Sequence, residues 1–135
     1  MIHVIMGLKG SGKTKKLIDA INAAVVEANG DVVCIEYGNA LTYDVTYKVR
    51  LVDSKEYGSN SAEMLKGFLS GLHAGNFDIT NVFIDNLYKT IGKDVAAAED
   101  FLVWCAKFAA DNNMNITISV SEDPANASEA VKQYL

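Results

Sequence analysis

The chain has 135 residues, half of them apolar and 21% charged, with a net charge of −5 and a single arginine, Arg50. A chain of this length buries about two-thirds of its unfolded surface as one domain, so its core requires neither disulfides nor a structural metal. The acidic balance argues against a nucleic-acid partner, because counterion release from a phosphate backbone needs clustered Lys and Arg.

The first apolar run, Ile2 to Met6, reads as a strand covered on both faces. It stops at Gly7, too short for a signal sequence core or a membrane span. Leu17, Ile18, Ile21, Ala24, Val25 and Ala28 then recur at helical spacing, and Asn29-Gly30 ends that helix. Asp31 to Glu36 predicts a second buried strand. Tyr47 to Asp53 alternates and carries Lys48 and Arg50, as an edge strand does. The link from Tyr37 to Thr46 is too short for a helical crossover, so this pair is expected to be antiparallel or loosely joined.

Asn60 with Glu63 predicts a capping box for a helix carrying Met64, Leu65, Phe68, Leu69 and Leu72 and ending near Gly75. Asn81 to Asp85 is a third buried strand, followed by a long helix from about Asp94 to Asn112 with Ala98, Phe101, Leu102, Cys105, Phe108 and Ala109 inward. Asn115 to Ser121 predicts the last strand, and Asp123-Pro124 opens a closing helix. Strands alternating with helices predict a three-layer α/β/α fold with a mainly parallel sheet of about five strands, one domain over residues 1–135. Cys34 and Cys105 lie in apolar runs without metal-ligand spacing and read as reduced core thiols of a cytoplasmic protein. His3 and His73 read as structural.

The segment GLKGSGKT fits G-x-x-x-x-G-K-[ST], with Gly7, Gly12, Lys13 and Thr14 at the fixed places. A random chain of this length would contain the pattern roughly once in two hundred times. Here it lies between a predicted strand and a predicted helix, where curled glycines aim several N–H groups at an anion. That geometry predicts a triphosphate site. Lys13 would reach the β and γ phosphate oxygens and Thr14 would offer its hydroxyl to Mg²⁺, with Lys9, Gly10, Ser11 and Lys15 completing the cradle. Of the two apolar runs ending in Asp, VFID is uninterrupted, so Asp85 is taken as the second metal anchor and Asp53 as a strand-end turn residue.

GLKGSGKT together with VFID resembles the P-loop NTPases over nearly the whole chain. Within that superfamily the start of the chain is similar to the RecA and thymidine kinase branch. It is also similar to short P-loop ATP-binding proteins of Gram-positive anaerobes, some labelled after PilT, the twitching-motility ATPase. The PilT label itself implies histidine-rich motifs and several arginines that this sequence lacks.

The resemblance implies ATP and Mg²⁺ as ligands, with Lys13 contributing to catalysis. Many ATP-hydrolysing relatives place a Glu after the metal-binding Asp, where this chain has Asn86. RecA-like proteins take a catalytic Glu from an adjacent strand end, which makes Glu36 the conditional water-positioning residue. Ser119 and Ser121 could sense the γ-phosphate, and Lys89 and Lys93 could reach a neighbouring subunit's phosphate. The lack of an N-K-x-D motif favours ATP over GTP.

These features lead to the expectation of an Mg²⁺-dependent ATPase of low intrinsic activity, raised by a protein partner or by self-association, with no membrane partner. A nucleotide-dependent switch is the alternative. A nucleoside-type kinase, with Tyr37, Tyr43 and Tyr47 stacking on its substrate, ranks below both.

Overall fold

In the computed structural model, which describes residues 1–135, Ile2–Met6 forms β1 and Lys13–Glu27 forms α1. Asp31–Glu36 is β2, Arg50–Asp53 is β3 and Ala62–Gly75 is α2. Ile79–Ile84 is β4, Leu87–Ile91 is α3, Val95–Asp111 is α4, Asn115–Val120 is β5 and Glu129–Lys132 is α5. The five strands make one all-parallel sheet in the order β1-β5-β4-β2-β3.

Strand order explains the layers. The chain moves one way along the sheet from β1 to β2 to β3, then reverses to β4 and β5. Right-handed crossovers put connections of opposite direction on opposite faces. Accordingly α1 and the Tyr37–Val49 segment cover one face, where Leu17, Ile21, Leu41, Val45 and Val49 pack on Val32, Cys34 and Phe83. The other face carries the larger core, in which Leu65 and Leu69 of α2 and Phe101, Leu102 and Cys105 of α4 pack on Val33, Ile35, Val82, Ile84, Ile116 and Ile118. Each fully buried Leu or Ile contributes about 1.5–3 kcal/mol.

The expectation for β2 and β3 is corrected. They pair in parallel, Val33 with Arg50 through Glu36 with Asp53. The crossover is made without a helix: turns closed by Asp44 N–H to Leu41 C=O at 3.0 Å and Val49 N–H to Thr46 C=O at 3.1 Å return the chain, while Leu41, Val45 and Val49 pin it to the sheet.

Three smaller differences concern helix ends. Ser61, one residue after Asn60, caps α2 by accepting Met64 N–H at 3.2 Å. Pro124 opens only a 3-10 turn, Pro124–Asn126, before the one-turn α5. Between the third buried strand and the long helix the chain forms α3. The long helix keeps its expected inward face, and Asp94 caps it through Ala97 N–H at 3.1 Å. No helix is long and apolar enough to cross a membrane.

Because all strands run one way, Gly7, Ser121, Asp85, Glu36 and Asp53 sit at or just beyond strand ends on one rim of the sheet.

Candidate functional site

Gly7 leaves β1 buried, its N–H on Val120 C=O at 3.2 Å. A Cβ at Gly7 would collide with Ser11 Oγ, so a larger residue there would force the Ser11 side chain to shift. Gly10 and Gly12 have φ of 85° and 86°, left-handed conformations that side-chain-bearing residues avoid. Ser11 N–H bonds Leu8 C=O at 3.1 Å and Lys16 N–H bonds Gly12 C=O at 3.1 Å. The N–H groups of Gly10, Gly12, Lys13, Thr14 and Lys15 find no acceptor in the chain. They gather at the positive end of the 15-residue α1.

The loop forms one wall of a cavity of about 660 Å³, contributing Lys9, Gly10, Gly12, Lys13 and Thr14. Asn86, Lys89 and Ser121 line the same cavity. No apolar side chain and no carboxylate lines it, and none of the three lysines makes an ion pair. Lys15 is 82% exposed and pairs with Asp19 at 2.9 Å. Ser11 and Gly7 line a second cavity of about 250 Å³ with Leu8, Lys16 and Asp123, and Lys13 borders both cavities. A cleft of about 350 Å³ around His73, Trp104 and Phe108 is built from the last turns of α2 and α4, at the opposite rim.

The two predicted carboxylates stand differently. Asp85 follows the central strand β4, its N–H on Ile35 C=O at 2.9 Å. Its Oδ1 accepts the Ser119 hydroxyl at 3.2 Å, and Ser119 Oγ accepts Asn86 N–H at 2.7 Å. Asp85 therefore lies one residue from a lining side chain, although it does not line the cavity itself. Glu36 is 2% exposed, and both its carboxylate oxygens lie 3.3 Å from Leu41 N–H, which they accept. Burial, followed by the charges of Asp85 and Asp53, pushes its carboxyl up from the ordinary 4.5, against the N–H bonds from Leu41 and Ala40. Glu36 does not line the cavity.

Asp53 is more than a turn residue. Its Oδ1 accepts Gly38 N–H at 2.7 Å and Lys55 N–H at 3.0 Å, while Ser54 Oγ donates to Glu36 C=O at 3.1 Å. Tyr43 and Tyr47 are 98% and 91% exposed, and Lys55 Nζ lies 5.8 Å from the centre of the Tyr37 ring. Both cysteines are free and buried, and burial raises their thiols far above the usual range. His3 is exposed on β1, and His73 sits between the rings of Phe77 and Phe108.

Three or more His, Cys, Asp or Glu nowhere converge as a metal cage. Mg²⁺ does not ask for one, since it is commonly held by one or two protein oxygens, water and the phosphates themselves. The hydroxyl of Thr14, a residue lining the cavity, fits that donor set, and Asp85 adjoins the lining residue Asn86. Asn86 entered the sequence reading only as a departure from a family pattern, and Lys89 only as a residue reaching another subunit. Asn86 precedes α3 as its N-cap and Lys89 lies on it, where Leu87, Thr90 and Ile91 are buried and Lys89 is exposed.

No family model matches the chain, and no curated protein matches it.

Proposed function

We propose that the chain binds ATP with Mg²⁺ under its glycine loop and turns it over slowly, as a P-loop nucleoside-triphosphatase. The observation that carries this reading is the cavity: the acceptor-free N–H groups of Gly10, Gly12, Lys13, Thr14 and Lys15 belong to a loop whose cavity is also lined by Lys9, Lys13 and Lys89, with no carboxylate among the lining residues, in a chain of net charge −5. An anionic polyoxygen ligand is the chemistry this recognises. Gly10 and Gly12 orient the main-chain donors, Lys13 spans adjacent phosphates, and the Thr14 hydroxyl and Asp85 would hold the metal and its water shell. Bound Mg²⁺ would neutralise charge on the bridging phosphate oxygens. Ser119 fixes the Asp85 carboxylate.

Titration calorimetry with ATP and Mg²⁺ tests this reading. Wild type should bind, and Lys13→Ala should weaken binding about 100-fold, the scale of losing contacts to charged phosphate oxygens. No heat at millimolar ATP would sink the proposal.

The position of Glu36 supports a second reading, a nucleotide-dependent switch that a protein partner or a second copy of the chain reads. Its carboxylate is buried on Leu41 N–H, away from the cavity. It becomes available to a water molecule only if the Gly38–Leu41 loop releases it. In this reading phosphate release is equal in wild type and Glu36→Gln, while ATP with Mg²⁺ changes the pattern of limited proteolysis. A rate that collapses in Glu36→Gln would restore Glu36 as catalyst and favour the ATPase.

A further inference from the structure

We propose that Lys89 binds the terminal phosphate of the nucleotide within its own chain, so that α3 distinguishes a triphosphate from a diphosphate. The inference rests on the nucleotide reading above and adds a residue to it. Lys89 lines the same cavity as the glycine loop, so an anion held by the loop shares that cavity with both Lys13 and Lys89. Neither ammonium has an ion-pair partner. Arg50, the only arginine, stands on the far edge strand β3, so the chain has no arginine to place there.

The construction of α3 keys Lys89 to the metal end of the site. Asn86 takes φ 52° before the helix and Gly92 takes φ 90° after it, so the five-residue helix is bracketed by two left-handed turns. Leu87, Thr90 and Ile91 anchor its inner face in the core. Asn86 N–H bonds Ser119 Oγ, which in turn donates to Asp85 Oδ1. One hydroxyl thus sets both the Asp85 carboxylate and the start of the helix that carries Lys89. Thr14 from the loop and Asp85, one residue before Asn86, would hold the metal, whose charge would draw the outer phosphates toward the residues that follow β4. A magnesium triphosphate retains negative charge after Lys13 has bound it, whereas a diphosphate has no group there to meet Lys89.

Calorimetry with ATP and with ADP, both with Mg²⁺, tests this on wild type, Lys89→Ala and Lys89→Met. Lys89 is exposed, so the variants should fold, and the Met variant keeps the stem. Each should lose about 10-fold or more in ATP affinity and less than about 2-fold in ADP affinity. Lys89→Arg should recover part of the ATP affinity alone. Equal losses for both nucleotides, or none for either, would overturn the role of Lys89 while leaving the nucleotide site intact. A wild-type chain that binds neither nucleotide overturns both proposals together.

Discussion

The rim of the sheet has two halves that treat polar groups in opposite ways. At β2 and β3, Asp53 accepts Gly38 N–H and Lys55 N–H, Glu36 accepts Leu41 N–H, and Ser54 Oγ donates to Glu36 C=O. That half turns these carboxylates onto its own N–H groups and holds them partly or fully buried. At β1 and β5 the glycine loop leaves a row of N–H groups without acceptors beside lysines without ion pairs. The fold is the same on both sides, parallel strands feeding loops at their C-terminal ends. What separates a structural rim from a binding rim is therefore where the donors find their partners.

The largest effect on stability should come from the closed half. Glu36→Ala leaves Leu41 N–H buried without an acceptor, whereas Glu36→Gln keeps an oxygen in place. Urea unfolding should put the Ala variant about 2 kcal/mol below the Gln variant. The comparison also has a pH signature. With its carboxyl raised above 4.5 in the folded chain, Glu36 keeps a proton that the unfolded chain has already released. Stability of the wild type therefore falls as pH rises from about 4.5 through the raised value, relative to Glu36→Gln, and the gap levels off once Glu36 has ionised in the folded state. A gap that is flat with pH would mean that the carboxylate is not held as the geometry shows.

The open half should show the reverse balance. In Gly12→Ala the new Cβ meets nothing within 4 Å, so only the backbone strain at φ 86° opposes folding, about 1 kcal/mol. The loop can relieve that strain by rotating its N–H groups away from a common centre. ATP affinity should then fall at least about 10-fold while the unfolding midpoint moves little. A loss of stability without a loss of binding would place the glycine's importance in folding and erase the contrast between the two halves.

Much of this rim was legible in the sequence, though unevenly. Periodicity located the strands, and the uninterrupted VFID run correctly put Asp85 beside the sheet centre, because a strand covered on both faces has to be apolar throughout. The inner face of α4 was likewise readable, since six buried residues repeat at helical spacing. The β2–β3 crossover was not. Leu41, Val45 and Val49 recur every fourth residue, yet they lie in turns and bends, so the crossover is made without the helix against which the length of the link is judged. The glycine loop was visible as a pattern because its backbone requires glycine. Asn86 was opaque, because a left-handed asparagine leaves no mark on a sequence, and with it went the direction in which α3 turns Lys89.

Lys15 gives the smallest effect and the finest test of the division. The sequence pattern places it in the cradle, and its N–H does belong to the row without acceptors. Its ammonium points away, paired with Asp19 in the open. Exposed pairs of this kind add little, so Lys15→Ala should shift the melting temperature by less than about 3 °C. Because the main chain is unchanged, ATP affinity should stay within about 2-fold of wild type, in contrast to the loss expected for Lys13→Ala two residues away. A 10-fold loss in Lys15→Ala would mean that the side chain leaves Asp19 for the ligand. The binding half of the rim would then extend past the loop onto the outer face of α1.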